Sequence, residues 1–343
     1  MPKTKKLSGV FDQPSGPHAY EALTPDVVLD ALADLGLAVD GRLTALSSYE
    51  NRVYQVMLDD DQALVAKFYR PERWSDAQIL EEHAFAAELM AAEVPMVGPL
   101  SFDGQTLHHA HGFAFSVSPR RGGRPPELDD TEVLEWIGRF IARLHNVGAH
   151  STFAHRPALN AETFGEASRD WLLENQIIPL DQQRAWLDMC NQAIGIAQEK
   201  IKAHPTALLR LHGDCHPGNI LWTPTDLAQG GPHFVDLDDA RMGPAVQDLW
   251  MLLSGDRAQR TQQLSMLLDG YEQMRELNRS EVVLIEPLRT LRLIHYSAWL
   301  ARRKDDPAFV QNFSWFGSSD YWAGQIHMLE EQCEAMQEPP LWV

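Results

Sequence analysis

The stretch that decides the fold is His212-Gly213-Asp214-Cys215-His216-Pro217-Gly218-Asn219-Ile220-Leu221-Trp222. Leu208, Leu209 and Leu211 stand before it, and Ile220 and Leu221 close it, so a polar loop is pinned between apolar segments. Inside the loop Asp214 and Asn219 lie five residues apart. A second segment, Phe234-Val235-Asp236-Leu237-Asp238-Asp239, brings an apolar strand to a carboxylate seventeen residues after Asn219. Both fall in a non-helical insertion of roughly residues 206–243, rich in Gly, Pro, Asp and Asn, within an otherwise helical region. Such an interruption is where function concentrates.

Working outward, Val133, Ile137, Phe140 and Leu144 recur at steps of four, three and four, one buried helical face. Further helices are expected over about 167–203, 244–254, 256–276, 280–303 and 318–336. Toward the N-terminus, Thr24-Pro25-Asp26 is a helix start, with Thr as cap, Pro at the first helical position and Asp against the dipole. That helix should end near Gly36. Arg52–Leu58 and Gln62–Tyr69 read as strands around Asp59-Asp60-Asp61. A long helix follows from Ser75 to about Glu93, then short strands near Gly98–Phe102, Thr106–His109 and Phe113–Val117. Arg120-Arg121-Gly122-Gly123-Arg124-Pro125-Pro126 is a breaker run. The pattern predicts a flexible tail over 1–20, an N-terminal lobe over 21–118, a hinge over 119–127 and a larger C-terminal lobe over 128–343.

The charge balance excludes some classes. Forty-eight acidic against 29 basic side chains give a formal charge of −19. Such a chain repels a phosphate backbone, so nucleic acid is not an expected partner. An acidic surface suits solubility or a basic substrate. No apolar run approaches a membrane span, so no membrane partner is expected. Lys3, Lys5 and Lys6 precede no apolar stretch, so they are not read as a secretory signal. Cys190, Cys215 and Cys333 are far apart and odd in number, which argues for a reducing compartment, the cytoplasm.

The Asp214/Asn219 spacing matches a kinase catalytic loop, where the Asp accepts a hydroxyl proton and the Asn holds Mg²⁺. An amide oxygen can ligate Mg²⁺ without adding negative charge beside a triphosphate. Asp236, at the end of its strand, is placed as the carboxylate that chelates the phosphate-bridging Mg²⁺. Val65-Ala66-Lys67-Phe68 is a strand with one Lys suited to pairing with nucleotide phosphates. Glu81 and Glu82 on the following helix are its candidate ion-pair partners, with Glu82 preferred. The corresponding phosphate loop, Leu46 to Tyr54, contains no glycine, so Ser47 and Ser48 hydroxyls with backbone N–H groups would have to serve. Against these readings stand a polar turn capped by Asp214, and a metal site from His212, Cys215 and His216, whose spacing suits zinc poorly. His108, His109 and His111 read as exposed, and Trp136, Trp250 and Trp299 as structural. Asp248 is a candidate brace for the catalytic loop.

Taken together, His212-Gly213-Asp214-x-His216-x-Gly218-Asn219, Asp236-x-Asp238, Gly243-Pro244 and Asp248 resemble the aminoglycoside phosphotransferase and choline kinase-like family. The likeness of Ser48 to Gln55, Lys67 to Trp74 and Phe234 to Leu253 extends to a bacterial stress-response branch of Ser/Thr protein kinases. The resemblance implies an α+β, two-lobed, protein-kinase-like fold, with a small antiparallel sheet lobe plus helix and a larger, mainly α-helical lobe. It implies ATP and Mg²⁺ as cofactors, Asp214 as catalytic Asp, Asn219 and Asp236 as metal ligands, Ser48 at the nucleotide, and Lys67 with Glu82 as an ion pair. Gly213 stands where ordinary protein kinases carry Arg, and Gly243-Pro244 follows Asp236 closely, which leaves no room for a long activation loop. The expected acceptor is a Ser or Thr hydroxyl of protein. A small alcohol of the amino alcohol or aminoglycoside/choline-like kind is the alternative, and a pseudokinase binding module the third reading.

Overall fold

The computed structural model describes residues 19–343, apart from the side chains of Ala308 and Gln311. The expected tail lies outside the described residues as far as position 18, but Tyr20 belongs to the fold. Its ring stacks on Phe113 at 6.0 Å, and its hydroxyl donates to the carbonyls of Glu50 and Phe68 at 3.2 and 3.3 Å.

Helix α1, Pro25–Ala33, begins where Thr24 accepts from the N–H of Val27, and it packs Val28, Ala31 and Leu32 onto a sheet. The strands are β1 (Val39–Leu46), β2 (Arg52–Leu58), β3 (Ala63–Phe68), β4 (His108–Ala110) and β5 (Phe113–Pro119), antiparallel in the order β1-β2-β3-β5-β4. Strand alternation does the sorting. Leu64, Ala66 and Phe68 of β3 enter the small core with α1, while Val65 and Lys67 face the other way. The Gly98–Phe102 segment forms no strand, only an isolated bridge from Phe102 to Gln105.

Helix α2, Asp76–Ala91, lies between β3 and β4 in the chain and starts with a capping box between Ser75 and Gln78. Its Phe85, Ala86 and Leu89 join the larger core rather than the small one. That core is built by α3 (Thr131–Gly148), α4 (Ala167–Glu174), α5 (Leu180–Ala203), α6 (Val246–Trp250), α7 (Arg257–Tyr271) and α8 (Ile285–Arg303), and, after the short α9 (Pro307–Asn312), by α10 (Ser319–Ala335). The single helix expected over 167–203 is two. Gln176 takes a left-handed φ of 52°, and Pro179, which lacks an N–H to continue a helical ladder, stands just before α5. Phe140 is half-buried at the edge of the core. Helices α3 and α7 touch through glycines: a Cβ at Gly138 would stand 2.0 Å from the Leu267 carbonyl oxygen, and one at Gly270 1.9 Å from that of Glu135.

Between α5 and α6 the insertion folds into two small antiparallel pairs, β6 (Leu209–Leu211) with β9 (Arg241–Gly243), and β7 (Ile220–Thr223) with β8 (Gly231–Phe234). The 212–219 loop thus runs between β6 and β7, and the 235–240 turn between β8 and β9. Both open toward the sheet.

Candidate active site

Asp214 and Asn219 occupy the two ends of the loop after β6. Asn219 Nδ2 donates to the Asp214 carbonyl at 2.9 Å and lies 3.4 Å from its carboxylate. The amide orientation turns Asn219 Oδ1 away from these contacts. The other Asp214 oxygen pairs with Arg292 of α8, and His216 Nε2 stands 3.5 Å from the first. Burial pushes the Asp214 carboxyl up, but Arg292 and His216 more than offset it and hold it below the usual carboxylate range.

The loop is braced from beneath. Asp248, fully buried in α6, accepts from the backbone N–H groups of His212 and Gly213 at 2.9 and 2.8 Å, and from His145 Nε2 at 3.1 Å. His212 Nε2 in turn donates to the Val235 carbonyl at 3.0 Å, linking the two loops. Gly213 has φ +84°, and a Cβ there would sit 2.1 Å from the Asp239 carbonyl oxygen, so no other residue fits.

Asp236 leaves β8 in the left-handed conformation, φ 62°, at a cost on the order of 1 kcal/mol for a residue with a side chain. Its Oδ1 meets Lys67 Nζ at 2.9 Å. Lys67 also reaches Asp238 at 3.2 Å and Glu82 at 3.5 Å. Burial would lower the Lys67 pKa, yet Asp236, Asp238 and Glu82 hold it well above its ordinary value, so it is charged. Glu81, one residue away, faces elsewhere and accepts from the backbone N–H groups of Ala154, His155 and Arg156.

Four residues that sequence reading missed, Arg156, Arg73, Glu50 and the Arg292 already described, complete the frame. Arg156 is buried and bonds Glu82 at 2.9 Å while donating to the carbonyls of Leu237, Asp238 and Ala240. Arg73 pairs with Asp238 and Asp239. Burial pushes the Asp238 carboxyl up, but Arg73 and Lys67 overcome it and bring it down to about 2. Glu50 takes Arg70 at 3.0 Å, Arg73 at 3.3 Å and Arg303, and accepts from Trp299 Nε1 at 2.7 Å. Glu50 and Arg73 lie inside the quoted Ser48-to-Gln55 and Lys67-to-Trp74 stretches, but nothing local marks Arg156 or Arg292.

Two chambers meet here. One, about 440 Å³, lies between the sheet and β7–β8, with Val65, Met96 and Leu221 as apolar walls and Lys67 and Glu82 inside. The other, about 470 Å³, is lined by Asp214, Asp239, Arg292, Tyr296, Trp299 and Phe313. They share Ser47, Ser48, Gly218, Asn219 and Asp236. Trp299, expected to be structural, is therefore part of the second chamber. His108, expected to be exposed, is buried in β4 against Phe102 and Phe115.

A sequence model described as the phosphotransferase enzyme family matches residues 42–280. The chain belongs to this family. It is 47% identical over 322 residues to stress response kinase A of Escherichia coli strain K12, covering 94% of this chain and 96% of that one. It is 46% identical, with the same coverage, to a protein of Salmonella typhimurium strain LT2 named serine/threonine protein kinase RdoA. Such relatives make this phosphotransferase a kinase. Among solved structures it is similar to amicoumacin kinase in complex with AMP-PNP, Ca²⁺ and Ami, with TM-score 0.69 at 20% identity over 94% of this chain and 96% of that one. It is also similar to a microcompartment-associated aminopropanol kinase, with TM-score 0.68 at 18% identity over 91% and 98%. These two show the fold that the phosphotransferase shares. Among its described residues no helix is long and apolar enough to cross a membrane.

Proposed function

We propose that this kinase transfers the γ-phosphoryl group of Mg·ATP to Ser or Thr hydroxyls of protein. The observation that carries the reading is the wall between the two chambers: the Lys67 side and the Asp214 side meet at Ser48, Asn219 and Asp236. A donor phosphate held by Lys67 and an acceptor oxygen beside Asp214 would face each other across it.

In this reading Asp214 accepts the hydroxyl proton as the acceptor oxygen attacks the γ-phosphorus and the bond to the β–γ bridging oxygen breaks, releasing ADP, a positioned-base role. Lys67 neutralises the α- and β-phosphates, and Glu82 holds Lys67 in place while Arg156 holds Glu82. Ser48 contacts the nucleotide from the glycine-free loop. The donor set fits Mg²⁺: a carboxylate at Asp236 and an amide oxygen at Asn219 are hard oxygen ligands at the shared wall. When bound, the ion neutralises charge on the β- and γ-phosphates. Residues 119–127 act as the hinge, where Arg124 exchanges backbone hydrogen bonds with Trp222 at 3.0 and 2.7 Å. The three free, buried cysteines are in keeping with a cytoplasmic enzyme.

Protein acceptors are supported by the names of the relatives and by the short turn after Asp236, which reaches α6 through β9 without a long covering loop. Mass spectrometry after incubation with Mg·ATP and protein substrates tests this. Phosphoserine or phosphothreonine that vanishes with Asp214→Asn is expected. Rapid phosphorylation of a small alcohol with no protein product would contradict it.

A further inference from the structure

Helix α8 sends Arg292, His295, Tyr296 and Trp299 into the acceptor chamber, at i, i+3, i+4 and i+7 on one face. Three arginines line this chamber, and they differ in freedom. Arg73 and Arg241 are 7% and 5% exposed and are locked onto Asp238 and Asp239. The Arg292 side chain is 30% exposed, and among the described residues its recorded ion pair is with Asp214. The other carboxylates around it already hold cations: Asp239 pairs with Arg73 and Arg241, Glu50 with Arg70, Arg73 and Arg303, and Asp236 with Lys67.

The consequence falls on Asp214. Its Oδ1 is taken by Arg292, and its Oδ2 lies within 3.5 Å of His216 and 3.4 Å of Asn219. An acceptor hydroxyl needs one of these oxygens. We propose that Arg292 determines acceptor specificity, by pairing with an acidic residue next to the Ser or Thr and thereby releasing Asp214 Oδ1 to the hydroxyl. A guanidinium forms paired hydrogen bonds with a carboxylate or phosphate, so such a neighbour is an adequate replacement partner. A cationic neighbour is repelled and leaves Asp214 masked. This runs against the net charge of −19, which attracts basic partners at long range. Inside the chamber the nearest charge decides, because screening there is weakest.

The inference rests on Asp214 serving phosphoryl transfer, and its test separates the two. Serine peptides identical except for Asp, Ala or Lys beside the serine, together with 3-hydroxypropionate and 3-aminopropanol, are offered to the full chain with Mg·ATP. Wild type should prefer the Asp peptide over the Lys peptide by about 10-fold in kcat/KM, the scale of one charge-assisted hydrogen bond. Arg292→Gln should bring that ratio to within about 2-fold by raising KM for the Asp peptide, and Arg292→Lys should keep part of it. If only the small molecules are phosphorylated, the same preference should appear between acid and amine. A wild-type preference for Lys or amine, or a ratio unchanged by Arg292→Gln, overturns the proposal; the wild-type and Arg292→Lys results decide it even if the Gln variant does not fold. Transfer to no acceptor at all overturns the proposed Ser/Thr acceptor reading, and this inference with it.

Discussion

The indole N–H of Trp299 donates to Glu50 Oε2 at 2.7 Å, joining the loop above the acceptor chamber to the helix below it across 249 residues. Tyr49, next to Glu50, meets Phe313 edge-on at 5.0 Å. Arg52 and Arg70 reinforce the junction by pairing with Asp306, each at 3.0 Å. A glycine-free loop therefore gains its fixed position from contacts with the opposite lobe.

Trp299→Phe keeps an aromatic side chain, smaller than the indole, and removes the donor. It should raise KM for the acceptor several-fold, weaken ATP binding by a smaller factor because Ser48 lies in the same loop, and lower stability by about 1 kcal/mol. Separate titrations of acceptor and ATP, with urea unfolding, check this. A loss confined to ATP affinity would place the loop's role on the other chamber.

Arg156 is the counterpart on the nucleotide side. Arg156→Ala leaves Glu82 buried beside an empty space and removes a donor from three carbonyls, of which that of Leu237 keeps the Ala240 N–H. Breaking one partner of a buried pair costs about 3–5 kcal/mol, so the variant should be strongly destabilised. An unfolding free energy within about 1 kcal/mol of wild type would show that the pair is not what fixes Glu82.

The pH response has a sign that can be worked out. His83 is buried, with Nε2 2.7 Å from the Tyr69 hydroxyl and Nδ1 2.8 Å from that of Thr106. Burial, with Lys67 and Arg156 nearby, brings its pKa from 6.5 down to about 3. The unfolded chain binds a proton here below 6.5 that the native chain refuses until about pH 3, so stability is full above that window and falls within it. Between pH 7 and 5 this residue should account for about 2 kcal/mol of lost stability. Urea unfolding at both values, with His83→Gln as control, measures it; an equal drop in the variant would assign the loss elsewhere.

Asp236→Ala and Asn219→Ala should each weaken Mg²⁺-dependent nucleotide binding, because each removes a proposed oxygen ligand. Mg·ATP titrations that show unchanged affinity and an unchanged metal requirement would remove both from the ligand set.

How much of this was legible in the sequence follows from distance along the chain. Asp214, Asn219 and Asp236 lie within one insertion between helices, so their spacing survives without a structure. The Arg156–Glu82 and Arg292–Asp214 contacts span 74 and 78 residues, and isolated arginines carry no periodic signal. Helix α2 was visible, but its phase was not: only packing shows that Glu82 turns inward and Glu81 outward. Strand β1 escaped notice because it is mostly exposed, and Asp40, Gly41 and Arg42 give it no apolar alternation. The acidic sequence suggested solubility or a basic substrate, whereas in the chamber Arg292 pairs with Asp214 and keeps 30% of its side chain exposed, which net charge alone does not reveal.

The most direct test of the account is the turnover of Asp214→Asn with Mg·ATP and a phosphorylatable protein. The carboxamide preserves size but cannot accept the proton. Nucleotide affinity should stay near wild type while turnover falls roughly 10²–10⁴-fold, the range for a positioned proton acceptor. Near-normal turnover in a folded Asp214→Asn protein would contradict the assignment at its centre.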